Sequence, residues 1–338
     1  MTPGSGVGSP TIYDVAAKAG VSISTVSLAL NAPTRVRVET LTRIHDAIDD
    51  LGFIPKTEAV ARARRGVGRI GVIAPFTTYP SFSRRLSGVL SALRGLNYEA
   101  VVYDHEGAAT SLLASLPLSK RLDGLIVMSL PLSDQVTERL NDRHLTTVLV
   151  ELERPGFSAV AIDNVAGSSM VAELLVQKGH SRFGFVGEGG TKPHPHDRIL
   201  QAEARMLGFR AALEQHGHEL PETSVRLIGR DLASATQAAT DLLDAEERPT
   251  AIFAHDDLFA SGVLRAARSR RIEVPDDLAV VGFDDSEIAE HLELTSVRQP
   301  FEESGQVAAE MLLAQLRDPT RSLQQITLKL TLIERTTT

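Results

Sequence analysis

From Thr11 onward the apolar positions recur at helical spacing. Ile12, Val15, Ala16 and Ala19 lie three or four apart, which predicts an amphipathic helix. Thr11 is placed to cap it, Asp14 three positions on can bond back to that cap, and Gly20 can end it in a left-handed conformation. Ser22 then caps a second helix over 23–30, whose polar side carries Ser24, Thr25, Ser27 and, just beyond, Asn31. A third helix near 38–51 sets Leu41, Ile44, Ile48 and Leu51 on one face before Gly52 and Pro55 stop it. Short helices around an Ala-rich crossing and a Gly-containing turn predict a helix-turn-helix head over residues 11–55. Hydroxyls near a helix N-terminus suit phosphate and base-edge contact, although an isolated set of them could simply be solvated.

Beyond residue 69 the pattern changes to short β-branched runs alternating with helical stretches. Strands are predicted over 70–74, 99–103, 124–128, 147–150, 159–162, 183–186, 225–228, 251–254 and 278–283. Helices are predicted between them, for example over 84–93, 168–177, 205–216, 233–243, 258–268 and 301–316. Such alternation implies parallel sheets covered on both faces. So many strands fit two doubly wound subdomains better than one sheet, and ligands of such folds bind beyond the carboxyl ends of the strands. The positions following the strands are 75–82, 128–130, Asp163 and Asn164, 187–197, His255 to Asp257, and Asp284 with Asp285. Converging acidic groups and a few aromatics suit a neutral polyhydroxyl ligand, because carboxylates accept from hydroxyls and ring faces cover C–H surface. Each carboxylate could instead cap the helix that follows it.

Composition sharpens this picture. The 338 residues carry 43 acidic and 35 basic side chains, no Cys and no Trp. That length implies two or more domains. Without Cys there is no disulfide framework, thiolate metal site or Cys nucleophile, and a reducing, cytoplasmic setting fits. Without Trp, the stacking platform for a sugar falls to Phe76, Tyr79 or Phe82. No apolar run approaches the roughly 18 residues needed to cross a bilayer, so no membrane partner is expected. Residues 1–10, rich in Gly, Ser and Pro, read as a disordered tail and not as a secretory signal. The net charge of −8 argues against nucleic acid until it is divided. Residues 1–69 hold nine basic against six acidic side chains, +3, and the remainder holds 26 against 37, −11. Such asymmetry points weakly to a nucleic-acid-facing end.

Residues 11–31 read TIYDVAAKAGVSISTVSLALN, followed by Arg35-Val36, Glu39-Thr40 and, over 47–55, AIDDLGFIP. This long ungapped segment resembles the head of lactose-repressor (LacI/GalR) family transcriptional regulators. The resemblance implies that Ile23 and Ser24 read bases in the major groove. It implies that Thr11, Tyr13, Ser22, Thr25, Ser27 and Asn31 grip phosphates or support the helix. Leu28 stands where most members carry a base-reading Arg, a contact worth about 1–3 kcal/mol of discrimination. Leu28 offers only apolar contact, for instance to a thymine methyl, so the operator is expected to differ there. Residues 56–69, with Arg62, Arg64, Arg65 and Arg69, look like the family's minor-groove hinge helix. Arg64 replaces the usual wedging Leu, so either Arg64 enters a narrow groove or Val60 serves as the wedge. A solvated basic linker is the alternative.

The resemblance continues through VAIDN (160–164), KGHSRFGFVG (178–187), RMLGF (205–209), PTAIF (249–253) and VVGFDD (280–285). It implies a small all-α helix-turn-helix head plus an α/β effector and dimerisation domain over 70–338. That domain would be two doubly wound parallel-sheet subdomains of the type I periplasmic-binding-protein-like fold. The first would span about 70–162 plus 297–324, the second about 163–296 plus 325–338. By the same resemblance Arg205, Asp256 and Asp284 hold effector hydroxyls, with Asp163 and Gln299 at the cleft; Asp256 replaces a common Asn. The implied function is a cytoplasmic, nucleoid-associated repressor. As a homodimer it would bind a pseudo-palindromic double-stranded operator, released or engaged by a sugar or sugar derivative between the subdomains. A dimer is expected because residues 333–338 leave no room for a tetramerising heptad helix.

Other readings fare worse. Residues 66–71 spell GxGxxG, but a basic helix precedes and a strand follows, the reverse of a dinucleotide site. His194, His196 and Asp197 lack a fourth metal ligand in a Pro-rich loop, so no metal or other cofactor is expected. No G-x-S-x-G elbow is present, and nothing sets a carboxylate separation for glycoside chemistry, so an enzyme is not expected. A sugar-transport protein would need export and no helix-turn-helix.

Overall fold

The computed structural model describes residues 10–31, 35–53, 67–75, 79–104, 122–130, 132–142, 144–189 and 201–338. Residues 1–9 of the expected tail (1–10) and hinge residues Val60, Arg62 and Arg64 lie outside them, as do Phe76 and the loop of His194, His196 and Asp197.

The head folds as its periodicity predicts, into α1 (Ile12–Ala19), α2 (Ile23–Asn31) and α3 (Val38–Leu51). Asp14 accepts hydrogen bonds from both the backbone N–H and the hydroxyl of Thr11, each at 2.7 Å. Gly20 closes α1 at φ 66°, a value that suits glycine. Val15, Ala16, Ala19, Val26, Ala29, Ile44, Ala47, Ile48 and Phe53 form one small core. The alanines permit the close crossing that so short a domain needs.

Two compact units divide the chain, one running to Ala161 with Phe301–Ile326, the other comprising Ile162–Pro300 and Thr327–Thr338. Besides the head, the first contains β1 (Gly68–Ala74), α4 (Pro80–Leu93), β2 (Tyr98–Asp104), β3 (Gly124–Met128), α5 (Asp134–Asp142), β4 (Thr146–Val150), β5 (Ser158–Ile162), α11 (Phe301–Arg317) and β11 (Gln325–Leu328). Its sheet runs β11-β5-β4-β3-β1-β2, with β1 to β5 paired in parallel. The central strands β3 and β4 are buried almost throughout, as a sheet covered on both faces requires.

The second unit contains α6 (Asn164–Gln177), β6 (Phe183–Glu188), α7 (Gln201–Gln215), β7 (Val225–Ile228), α8 (Leu232–Leu243), β8 (Ala251–Ala254), α9 (Asp257–Ser269), β9 (Ala279–Asp284), α10 (Glu287–His291), β10 (Thr295–Arg298) and β12 (Thr331–Ile333). Its sheet order is β12-β10-β9-β8-β6-β7, parallel except for β12. In both sheets the first strand of the unit's own βαβ series is flanked on both sides by later ones. That reversal is the switch point at which a crevice opens beyond the strand ends. Edge-on aromatic contacts link Phe185, Phe209 and Phe253 at 5.2–5.5 Å between ring centres and form a rigid floor under β8. No helix among the described residues is long and apolar enough to cross a membrane.

Three strands depart from the expected pattern. β10, β11 and β12 are four residues or fewer and rich in Thr, Gln and Arg, so they carry almost no hydrophobic signal. Helices α5 and α10 were likewise not foreseen.

Candidate functional site

The head presents one face of α2 to solvent. Val26 and Ala29 are buried on the inner side, while Ile23 is 40% and Leu28 37% exposed on the outer, beside exposed Ser24. Tyr13 on α1 is 67% exposed. Large apolar side chains left in water on a small domain mark a surface made for contact. Ser22 caps α2, its Oγ accepting from the Thr25 N–H at 3.2 Å and lying 2.7 Å from the hydroxyls of Ser24 and Thr25. The hydroxyls thus form one cluster at the positive end of the helix, where an anion is favoured. Ser27 is half-buried, and Asn31 is the last residue of α2.

The second cluster gathers beyond the carboxyl ends of the strands in the second unit. Arg205, buried on α7, is its centre. Its Nε donates to Asn164 Oδ1 at 2.8 Å, its Nη1 donates to the His255 carbonyl, and Asp284 Oδ1 lies 3.7 Å from Nη1. The guanidinium carbon sits over the Phe283 ring, 3.7 Å from its centre. Gln299 Nε2 donates to Asp284 Oδ1. Asp256, also buried, accepts the Phe259 N–H at 2.9 Å and lies 2.5 Å from Arg230 Nη1. Arg230 reaches Glu188 as well, at 3.5 Å. Among these residues three carboxylates face two guanidiniums, so an anionic ligand would be repelled and a neutral one tolerated.

Proton affinities follow from burial. Burial pushes the Asp284 carboxyl up to about 6 against the pull of Arg205, with Asp256 adding to the rise. Burial also works to raise Asp256, but His255, Arg230 and the Phe259 N–H hold it below the usual carboxylate range. The buried His255 imidazole is driven down to about 3 and is neutral at physiological pH. Burial and the neighbouring Asp284 push Asp257 up to about 8, so it carries a proton at neutral pH.

The structure assigns the acidic candidates different work. Asp163 is exposed and caps α6 by accepting the Ala166 N–H at 2.8 Å; the next residue, Asn164, is the one that meets Arg205. Asp256 is both a helix cap and a member of the cluster. Neither Asp257 nor Asp285 caps its helix. Asp257 accepts the Ser286 N–H and the Ser296 hydroxyl, each at 2.6 Å, and Asp285 pairs with Arg298 and Arg335. Asn164, Glu188, Arg230 and His255 are not among the candidate ligand contacts, although Asn164 stands with Asp163 among the positions after strands. Glu188 and His255 lie among the positions after strands, and Arg230 follows β7 by the same logic.

In the first unit the corresponding strand ends carry a buried ion pair. Arg85 Nη2 on α4 is 3.4 Å from Glu151 Oε1, just after β4. Its guanidinium sits 4.7 Å from the Phe301 ring centre and 5.8 Å from that of Phe82. Phe82 is therefore buried and occupied by Arg85, whereas Tyr79, preceding α4, remains half-buried. No group of acidic residues and histidines fit to hold a metal occurs among the described residues.

Two family models match separate parts of the chain. A model of bacterial regulatory proteins of the lacI family matches residues 11–56, and a periplasmic binding protein-like domain matches 172–338. The HTH-type transcriptional regulator DegA of Bacillus subtilis is 30% identical over 87% of this chain and 88% of its own. A solved CelR–cellobiose complex is 28% identical, with a TM-score of 0.69, covering 97% of this chain and all of that one. The Lac repressor dimer bound to operator and the anti-inducer ONPF is 25% identical at a TM-score of 0.71, covering 97% and 98%.

Proposed function

The chain belongs to the lacI family of bacterial regulatory proteins and is a DNA-binding transcriptional regulator, and from that premise we propose that a neutral sugar, held by Arg205, Asp284 and Gln299, sets its affinity for the operator. The observation carrying this reading is the arrangement around Asp284. A carboxylate braced by Gln299 and faced by a planar guanidinium offers acceptor and donor side by side, as adjacent sugar hydroxyls need. Asp256, with one oxygen on the Phe259 N–H and the other on Arg230, contributes through that arginine. Asp163, beside Asn164 at the start of α6, is a secondary contact in this reading. The cellobiose in the CelR complex supports a sugar ligand. The operator-bound Lac repressor dimer supports a homodimer on a two-fold operator.

A thermal-shift screen of the full chain tests the ligand. Cellobiose, ribose and other neutral sugars are expected to raise the melting temperature, and sugar phosphates and purines are not. Binding is expected to weaken as pH falls through about 6, because Asp284 then gains a proton and can no longer accept from two hydroxyls. Stabilisation by sugar phosphates alone would overturn the neutral-ligand reading.

On the DNA side, Leu28 is exposed and apolar. Arginine introduced at this position (Leu28→Arg) should shift half-site preference toward guanine at the facing base pair, by about 1–3 kcal/mol in competitive binding. An unchanged base preference would show that residue 28 does not face a base. Ile23 and Ser24 belong in this proposal to base reading, Thr11, Tyr13, Ser22, Thr25, Ser27 and Asn31 to backbone grip, and Val60, Arg62 and Arg64 to the minor groove.

A further inference from the structure

The chain makes a strained turn at the end of β9. Asp284 and Asp285 have φ of 107° and 51°, values that residues with a Cβ hold only where their surroundings over-determine them. Four contacts do so here. The Asp285 N–H donates to Ser296 Oγ at 3.1 Å, and the next N–H, of Ser286, donates to Asp257 Oδ2 at 2.6 Å. The Asp285 carboxylate, 4% exposed, lies 2.6 Å from Arg298 Nε and 2.7 Å from Arg335 Nη2.

The two arginines are not equivalent. The Arg298 side chain is 53% exposed, so water competes with its pairing. That of Arg335 is 15% exposed and fixed from both ends: Nη1 donates to the Leu294 carbonyl at 2.6 Å, and its own N–H donates to Thr295 Oγ1 at 2.9 Å. Arg335 follows β12, the antiparallel edge beside β10. Two residues on, Thr337 closes the same seam, donating its hydroxyl to the Val280 carbonyl at 2.7 Å and accepting the Thr295 N–H at 2.9 Å. The C-terminal segment thus ties β9 to β10, the strands that deliver Asp284 and Gln299.

We infer that Arg335 is a positioning residue of the ligand site: through Asp285 it holds the left-handed turn that sets the Asp284 carboxylate against Gln299 and Arg205. Without Arg335, Asp285 keeps one solvent-exposed partner, and the turn is free to relax toward extended backbone. Asp284 then leaves its partners even though no residue of the cluster has been altered. The inference rests on the reading above only for what Asp284 binds.

The test is amide hydrogen exchange on the full chain, with cellobiose and ribose titrated as probes. In Arg335→Ala, exchange at the Asp285 and Ser286 N–H groups should accelerate at least about tenfold, while the Phe259 N–H at the start of α9 keeps its protection. Whichever sugar stabilises the wild type should bind about tenfold more weakly, as expected for loss of one close, largely buried charge pair. Asp285→Ala should give the same loss, the double variant no more, and Arg335→Lys partial recovery. Unchanged exchange at Asp285 and Ser286, or a loss of protection spread evenly over the second unit, would overturn the inference. If neither sugar binds the wild type, the ligand reading fails while the exchange pattern still decides the role of Arg335.

Discussion

Replacing Arg205 by Ala is expected to be the most damaging single change in the second unit. Its guanidinium is buried and serves four neighbours at once: the Asn164 side chain, the His255 carbonyl, the Asp284 carboxylate and the Phe283 ring. Truncation leaves a buried carboxylate with reduced compensation and a cavity over an aromatic face. Breaking a buried ion pair from one side costs about 3–5 kcal/mol, because the remaining charge has lost its partner while still desolvated. The pH dependence separates this charge effect from plain loss of packing. Burial already raises Asp284 to about 6 in the presence of Arg205, which works against that rise. Without the arginine the carboxyl must rise further. A group whose folded pKa is raised binds its proton more tightly folded than unfolded, so the folded state loses stability as pH climbs through that range. The deficit of Arg205→Ala relative to wild type should therefore grow as pH rises from about 5 to about 8. Urea unfolding of both proteins across that range measures it. Arg205→Met, which keeps the stem over Phe283, should share the pH dependence but lose less stability. A deficit that is flat with pH would show that Arg205 acts by volume alone.

The sequence was most legible where contacts are local. The head is read from 3.6-residue spacing, caps at Thr11 and Ser22, and stops at Gly20 and Gly52, all within neighbouring turns of chain. The central strands were equally plain, since β3 and β8 are apolar at nearly every position and β4 ends in the apolar run Val148-Leu149-Val150. β10 was missed for the opposite reason. Thr295 and Ser296 are fully buried, but by hydrogen bonds to Thr337, Arg335 and Asp257, so the strand has no apolar signature. The site shows the same division. Inspecting the ends of strands found Asp256 and Asp284. It could not separate Asp163, which turns its carboxylate onto its own helix, from Asn164, which meets Arg205. Arg335 was beyond reach, because its value lies in Asp285, just past the end of a strand and fifty residues earlier, and no local pattern marks such a pairing.

Alanine at Gly305 or Gly88 should destabilise the first unit more than any other substitution of one hydrogen by a methyl there. Helices α4 and α11 cross at these two glycines with backbone against backbone. A Cβ at Gly88 would lie 1.9 Å from the Glu302 carbonyl oxygen, and one at Gly305 would lie 1.9 Å from that of Arg85. Neither obstacle is a flexible side chain that can turn away. Relief requires the helices to separate, and that loosens what they share. Phe301 slides off the Arg85 guanidinium, and the two hydrogen bonds from Arg84 to Glu302, at 2.7 and 2.9 Å, are stretched. Alanine gains up to about 1 kcal/mol of helix propensity over glycine, while overpacking a rigid contact costs about 1–3 kcal/mol and occasionally more. Backbone-to-backbone overlap belongs at the upper end, so the net change should be a loss of about 2 kcal/mol at either site. The double variant should cost less than the sum, since helices already forced apart at one glycine leave room at the other. Urea denaturation of the two single variants and the double variant reads both quantities. Stability at or above that of the wild type in Gly305→Ala would mean that α4 and α11 do not meet through their backbones in solution.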